Sequence, residues 1–572
     1  VKYLQYTKRK GEERMKKRFA LILAAALASS AILSACGGNQ ASETQAPAQE
    51  TQTDAGGKSE AGAENTSGPK DEVVTMAIIS SWDTLNIYNT SGNYGNAVAD
   101  HMFERLVTRT HDGEILPRLA TSWEMSEDNK TMTFHLADTA LWHDGEKVTA
   151  KDIVFTCRAM TSELVDNYYR SAFNVLEGTN DDGIAENPES LGVEAEGDYT
   201  VKFTFKTEKD PDSVLNAFLS FLYVLPQHIL DTGDYASINS SSFWSAPVGC
   251  GPFKYVKDTA GESLEMEAFT DYYQGCPDFK TLVVRVVPAS NLTAGLLNGD
   301  IDVVAMGSIP LSDWETIKNS DQVVAASVED YSYQYMQFNL SDGNQTFQDP
   351  KVRNAIDMAI NKQMMVDQLM MGEGQVAVGP MPKYHPYYNE NIVANTYDPD
   401  KAKAMLEEAG FDFGKEYLML VPKGNQVREQ SALLIQQDLQ KIGVKVKIET
   451  YDFTTLLQML REGKEDFGLL GGGSNIDPNE SSVIVKPHDP RNYSLLTDPK
   501  WFELADEGAS KVTKEERKEW YDAYQMALVE DQPYIWLYHQ NNLWAYSKRL
   551  KEIPIEDFVW FNFESWKWKL AD

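Results

Sequence analysis

The sequence predicts an α/β protein of more than one lobe, with a mostly β segment set into its first half. Three observations carry that prediction. The chain has 572 residues, more than one hydrophobic core normally supports. Residues 398–470 alternate strand-like and helix-like segments, the pattern of parallel βαβ units. From about 105 to 240, apolar and polar positions alternate instead, as in Met132-Thr133-Phe134-His135-Leu136 and Val201-Lys202-Phe203-Thr204-Phe205, interrupted by a helical stretch from Ala150 to about Met160.

At the start of the chain Lys16, Lys17 and Arg18 precede an apolar run from Phe19 to Ile32. That run has the length of an export signal and falls short of the roughly 20 residues a membrane-spanning helix needs. It ends in Leu33-Ser34-Ala35-Cys36-Gly37, small residues closing on a cysteine, which resembles the lipobox of bacterial lipoproteins. The resemblance implies a signal peptide over residues 1–35 with its start at Met15. Cys36 then becomes the first mature residue, lipidated on its sulfur and its new amino group, and the body sits outside the cytoplasm, anchored to a membrane. Gly37 to Glu72 contains no aromatic residue and no Val, Ile, Leu or Met, so residues 36–72 read as a flexible tether.

The whole chain carries a formal charge of -34. Processing before Cys36 removes eight basic residues and two acidic ones, leaving 44 basic groups against 84 acidic and a charge of -40. Such a body repels polyphosphate at long range, which excludes nucleic acid as its partner.

The folded body begins at Val73, where an apolar run to Ile79 reads as a buried strand entering the polar loop Ser80-Ser81-Trp82-Asp83. Asp398-Pro399 supplies a helix N-cap and an N1 proline, Ala402, Met405, Leu406 and Ala409 recur at helical spacing, and Gly410 stops the helix. A strand at Tyr417 to Val421, a helix around Arg428 to Lys441, a strand through Val444, Val446 and Ile448, a helix near Thr454 to Arg461 and a strand at Phe467 to Leu470 follow. Ligands bind such sheets beyond the carboxyl ends of the strands, which here are Pro422 to Gln426, Tyr451 to Phe453 and Gly471 to Pro478. Seven of the 12 tryptophans come after residue 500, and Trp566-Lys567-Trp568-Lys569 reads as a terminal strand completing a sheet begun elsewhere. Of the body's three cysteines, Cys250 and Cys276 are the pair for which spacing leaves a disulfide open.

Catalytic signatures are missing. The sequence has no G-x-S-x-G elbow, no H-E-x-x-H helix and no Walker A loop, and its eight histidines form no i, i+4 pair for a metal. No catalytic residue, metal ligand or cofactor is assigned.

Several stretches together resemble the extracellular solute-binding protein family 5, the peptide- and nickel-type receptors of ABC importers. In order they are Pro117-Arg118-Leu119-Ala120-Thr121-Ser122-Trp123, Phe134-His135-Leu136, Trp142-His143-Asp144-Gly145, Ala150-Lys151-Asp152-Ile153-Val154, Leu225-Pro226-Gln227-His228 and Pro247-Val248-Gly249-Cys250-Gly251-Pro252-Phe253. Leu296-Leu297-Asn298-Gly299-Asp300-Ile301-Asp302, Phe338-Asn339, Val352-Arg353-Asn354-Ala355, Ala359-Ile360-Asn361-Lys362, Tyr397-Asp398-Pro399-Asp400-Lys401-Ala402 and Asp477-Pro478 continue the series. The resemblance implies a periplasmic-binding-protein-like two-lobe α/β fold, type II or cluster C-like, with an additional mostly β inserted lobe. The N-terminal lobe would span 73–337 including the insertion at about 105–240, the C-terminal lobe 338–535, and residues 536–572 would return to the first lobe. The crossovers would fall near Tyr335 to Leu340 and Pro533 to Tyr538. The implied protein is a monomeric, non-enzymatic receptor that closes on a small-molecule solute and presents it to a permease served by a separate ATPase.

The expected ligand contacts are Trp82, Asp83, Leu85, Asn86 and Tyr94 after the first strand, Asn339 near the crossover, and the Gly471–Asp477 loop with Gly472, Ser474, Asn475 and Asp477. Asp477 before Pro478 equally fits a turn-forming residue. One departure stands out. Peptide-binding members carry a tryptophan in this loop and, four residues before the proline, an aspartate for the peptide's α-amino group. This chain has Gly471 and Ser474 there. Serine offers no full charge to an ammonium, and the glycine run leaves side-chain volume free. An oligopeptide is the first expected ligand, an oligosaccharide or another organic solute (or a nickel complex) the second. A surface-anchored hydrolase, the reading from another class, would need an acid and base pair in the cleft.

Overall fold

The structure is a computed structural model that describes residues 69–572 apart from 91–92, 112, 219–221, 307, 474–475 and 556–563. The signal segment, Cys36 and nearly all of the tether lie outside the described residues, as do Ser474, Asn475 and Trp560.

Two mixed sheets organise the body. The first has seven strands in the order Val323–Val328, Asn542–Ser547, Val303–Met306, Lys70–Ile78, Phe279–Val286, Ser263–Ala268 and Phe253–Thr259. Its central strand, Lys70–Ile78, pairs in parallel with both neighbours. It begins three residues before the apolar run at Val73, and its Val74, Met76, Ala77 and Ile78 are buried, as expected for a strand covered on both faces.

The second sheet has six strands in the order Gly374–Val376, Tyr534–Gln540, Ser332–Phe338, Phe467–Gly473, Glu416–Pro422 and Lys445–Tyr451. Glu416–Pro422 runs parallel to Lys445–Tyr451 and Phe467–Gly473, with the helices Gln426–Lys441 and Phe453–Arg461 as the connections. Asp398 caps the helix Pro399–Glu408 by accepting from the amide of Lys401, and Gly410 follows the helix with φ of 71°. These are the βαβ units legible in the sequence.

The chain passes between the sheets twice, through residues 329–331 and through Asn541. This corrects the expected crossovers and the boundaries at 337/338 and 535/536. Ser332–Phe338 and Tyr534–Gln540 are full strands of the second sheet, and Tyr335, Met336, Phe338, Tyr534, Trp536 and Tyr538 belong to its core. Both strands are nearly continuous buried runs, which carry no periodic mark of where they end.

The inserted segment contributes a four-stranded antiparallel sheet, Ala120–Met125, Thr131–Leu136, Thr200–Thr204 and Val193–Ala195, beside the helix Ala150–Met160 with its Thr149–Asp152 capping box. Its Phe134, Trp142 and Phe203 sit in the same hydrophobic cluster as Met76, Phe253 and Phe279, so the insertion extends the first lobe's core. Trp142-His143-Asp144-Gly145 forms a tight turn in which Gly145 adopts φ of 96°, a left-handed conformation that favours glycine.

Two further expectations change. Ser565–Lys567 is a 3-10 turn and only Lys569–Leu570 pairs as a strand, with Leu550–Lys551. Trp566 and Trp568 are both buried, as the alternation with lysine expected, although the backbone over 565–567 turns instead of extending. Cys157, Cys250 and Cys276 are free thiols, so the Cys250–Cys276 bridge is not formed.

Candidate functional site

Loops beyond the carboxyl ends of parallel strands are where a doubly covered sheet presents polar groups to a ligand. In the first lobe, Lys70–Ile78 runs into the loop carrying Trp82, Asp83, Leu85 and Asn86 and then into the helix Asn93–Met102 with Tyr94 in its first turn. The structure brings these five residues into one loop-and-helix element. The exposed Asp83 accepts from Thr90 Oγ1 at 2.6 Å and from the amide of Thr84 at 3.0 Å. Trp82, Leu85 and Tyr94 lie half-buried on the first core, and burial raises the Tyr94 phenol's pKa. Asn86 is buried: its Oδ1 accepts the Tyr88 amide at 3.1 Å and its carbonyl those of Asn89 and Thr90, so its side chain shapes the loop.

In the second lobe, Asn339 is not a ligand contact. Its Nδ2 donates to the carbonyls of Gly463 and Glu465 at 3.1 and 3.0 Å, and its Oδ1 accepts from Ser341 N and Oγ at 3.1 and 2.7 Å. All four hydrogen-bonding positions of the amide are spent inside its own lobe. Beneath it Glu465 is buried, which pushes its carboxyl up to about 8.

The glycine run is also filled from within the chain. A Cβ on Gly472 would lie 2.7 Å from the ring and hydroxyl of Tyr333, the residue paired with it across the sheet. A Cβ on Gly471 would collide with Nη2 of Arg428 and lie 2.6 Å from the amide atoms of Gln334. Around Gly473 nothing lies within 4 Å among the described residues. The volume that the missing side chains leave at Gly471 and Gly472 therefore belongs to Tyr333, Arg428 and Gln334. Gly472 contributes close strand packing here.

Asp477 has a use that spacing did not reveal. Its carboxylate receives Nη2 of Arg517 on both oxygens at 2.9 Å, Ser213 Oγ at 2.6 Å and the amide of Asn479 at 3.0 Å. Nη1 of Arg517 donates to Asp210 at 2.9 Å. Asp210 and Ser213 come from the inserted segment, whereas Asp477 and Arg517 come from the second lobe, so this buried cluster ties the two together. Arg517 is 1% exposed. Burial disfavours its charge, and Asp477 more than offsets that, holding its pKa above the ordinary value. Burial raises the Asp210 carboxyl despite Arg517. The adjoining cavity, lined by Ser213, Tyr387, Ile476, Asp477 and Arg517, measures about 50 Å³, room for water but not for a peptide.

Sequence reasoning missed Asp210, Ser213 and Arg517. The one signal was the helix Lys514–Asp531, where Arg517, Tyr521, Tyr524 and Leu528 fall on one buried face at helical spacing within an otherwise charged stretch.

Contacts on the crossover side are different in kind. Glu373, just before the strand Gly374–Val376, receives Trp314 Nε1 at 2.7 Å, Lys318 Nζ at 3.4 Å and Ser327 Oγ, all three from the first lobe. Burial alone would raise its pKa; hydrogen bonds from Ser327, Trp314 and Lys318 overcome this and hold it below the usual carboxylate value. Asn541, the second crossover, donates its Nδ2 to Ser327 at 3.0 Å. Among the described residues, no group of three or more His, Cys, Asp or Glu side chains is placed to hold a metal, and no helix is long and apolar enough to cross a membrane.

Two α/β lobes joined by two short crossovers, with a buried charge cluster tying the insertion to the second lobe, form the architecture of a solute-binding protein. The chain belongs to the bacterial extracellular solute-binding proteins, family 5, whose middle-region model matches residues 114–492. It is 27% identical to the oligopeptide-binding protein AppA of Bacillus subtilis over 585 residues, spanning 96% of this chain and 99% of that one. Di/tripeptide-binding protein 1 of Pseudomonas aeruginosa is 27% identical, over 82% of this chain and 89% of its own. The solved structure of Bacillus subtilis AppA in complex with a nonapeptide superposes with a TM-score of 0.70 at 25% identity, covering 88% of this chain and all of that one.

Proposed function

We propose that this chain is the substrate-binding receptor of an ABC importer, anchored through lipid on Cys36, which captures an oligopeptide between its lobes and delivers it unchanged to a permease. The observation that carries the reading is two α/β lobes whose backbone is joined only at residues 329–331 and 541 among the described residues, with side-chain contacts such as the Arg517 cluster making the remaining links. Near-full-length similarity to a protein named for oligopeptide binding supports the ligand class. With Ser474 in place of the aspartate, Asp83 is the exposed carboxylate at the carboxyl end of the first sheet's central strand, and it supplies the charge that a peptide's ammonium needs. The oligosaccharide reading rested on free volume over the glycine run, and Tyr333, Arg428 and Gln334 occupy that volume over Gly471 and Gly472.

The test is the thermal midpoint of the purified chain with pools of tri- to nonapeptides, with oligosaccharides and with nickel–histidine. A ligand at 100 times its Kd adds about 2.7 kcal/mol to the folded state. The proposal expects a rise with peptides; a rise with sugars alone would replace the ligand class.

A further inference from the structure

Gln337 and Glu465 meet inside the second lobe with one hydrogen too few between them. Gln337 stands on the strand Ser332–Phe338 opposite Gly468, where a Cβ would lie 3.1 Å from Cγ and 3.2 Å from Nε2 of Gln337. Glycine therefore leaves the amide its place over the neighbouring strand. Nε2 donates its two hydrogens to the carbonyl of Tyr493 at 3.1 Å and to Oε1 of Glu465 at 3.4 Å. These acceptors fix the orientation of the amide, because turning it over would set its oxygen against the Tyr493 carbonyl.

The atoms left over are Oε1 of Gln337 and Oε2 of Glu465. Both are buried and neither has a hydrogen-bond partner. Gln337 is fully buried and Glu465 is 4% exposed. An amide oxygen and an ionised carboxylate oxygen can only accept, and an unsatisfied buried acceptor is costly, most of all when it carries charge. The charged neighbours give no relief. Asp466, next in sequence, adds a like charge and is itself engaged by Lys415 Nζ at 2.7 Å. Lys464 and Glu462 are exposed, Arg461 donates to the Pro490 carbonyl and the Tyr493 hydroxyl, and Arg491 pairs with Asp489. A single proton on Oε2 satisfies both orphaned oxygens, since a carboxylic acid facing a primary amide exchanges two hydrogen bonds with it, N–H to one oxygen and O–H to the other.

We propose that Glu465 carries a proton in the folded protein and donates it to Gln337 Oε1, locking Ser332–Phe338 to the segment that opens Phe467–Gly473, and that the second lobe loosens where rising pH removes that proton. Both strands run to the crossover edge of the lobe, where Ser332 pairs with Gly473. The sign of the pH dependence follows. Burial, the largest cause, pushes the Glu465 carboxyl up from 4.5 to about 8. The folded protein holds this proton more tightly than the unfolded chain does, so the stabilisation is complete below about 4.5 and is lost as pH rises to about 8.

The experiment follows the full chain, wild type and Glu465→Gln, by thermal midpoint from about pH 5 to about pH 9, and by carboxyl 13C NMR of glutamate-labelled protein over the same range. Glu465→Gln replaces the acid's O–H by a permanent N–H of similar reach. Its midpoint is expected to gain on wild type between about pH 5 and about pH 8 and to keep that lead above it, the folding constant gaining up to about tenfold per pH unit on the slope. In labelled wild type one glutamate carboxyl titrates at about 8, and that signal is missing from the variant. A lead that does not change with pH would overturn the proposal, because an amide that only packs better has no proton to lose. A wild-type spectrum in which every glutamate carboxyl titrates below about 6 would overturn it too, and that result needs no folded variant.

Discussion

Two sets of contacts between the lobes are built on different principles. In one set, Ser327 and Asn541 lie on or beside the strands that carry the chain across, so covalent connection keeps them near the crossovers, and Glu373 joins them from beside the strand Gly374–Val376. In the other set, beside Ile476 where it packs on the crossover residue Tyr331, Arg517 meets Asp210 across 307 residues of sequence. Nothing but the interaction itself holds that pair. The crossovers therefore serve as the hinge, and the Arg517 cluster, with no backbone running across it, is the contact that can part as a latch. A buried guanidinium shared by two carboxylates contributes little net stability against an apolar replacement, yet is costly to leave half-made, which suits a contact that either forms completely or parts into water.

Removing the latch cation gives the largest expected effect. Arg517→Ala leaves Asp210 and Asp477 buried without a counter-charge and lowers stability by about 3–5 kcal/mol, read by denaturant unfolding. Changing all three together, Arg517→Met with Asp210→Asn and Asp477→Asn, recovers most of that loss. If Arg517→Ala cost less than about 1 kcal/mol, the latch would be an ordinary surface pair.

Acid tests the hinge. His539, next to the crossover, makes a 2.9 Å contact from Nδ1 to the carbonyl of Ser332, and burial pushes its pKa down to about 4. A histidine depressed in the folded state gives its full contribution above the unfolded value near 6.5, and that contribution is lost as pH falls toward 4. His101 and His143 are lowered to about 4 by the same cause in the first lobe. Glu465, raised to about 8, gains stability as pH falls through the same window and opposes the histidines, so the test is the difference between profiles: His539→Gln removes one of these three histidine contributions, and the variant loses less stability than wild type between about pH 6.5 and 4. An unchanged slope would mean that His539 takes up its proton without strain.

Glu373→Gln is the mildest change. It keeps an acceptor for Trp314 and Ser327 and loses the charge facing Lys318, so the expected cost is about 0.5–1.5 kcal/mol in the unfolding midpoint. Its effect on cleft opening is nil, because the strands still connect the lobes. A gain of opening comparable to Arg517→Ala would erase the distinction between hinge and latch.

What the sequence made legible followed local physics. Asp398-Pro399 and Gly410 bracket a helix, and strand–helix alternation marks the parallel units, because caps and periodicity act over a few residues. The sheet to which Ser332–Phe338 belongs could not be read, since an evenly buried strand looks alike in either lobe. The site was legible in part. Trp82 to Tyr94 do share one loop-and-helix element, whereas Asn339 is consumed by its own lobe, Asp477 by Arg517, and Gly471 and Gly472 by Arg428 and Tyr333. The partners of Asp477 were out of reach, because Arg517 reads as one more charge in a charged helix until its tyrosine neighbours are seen to be buried.

The most direct test of the account is the distance across the latch in the presence and absence of peptide. Spin labels at Glu208→Cys in the insertion and Glu515→Cys in the second lobe, on a Cys276→Ser background, report it without touching the cluster, since both glutamates are exposed. The account predicts a broad distribution without ligand that collapses to a single short distance when a binding peptide is added, and that stays broad in Arg517→Ala. A distribution that no peptide narrows, in a chain that nevertheless binds peptide, would contradict closure through the latch.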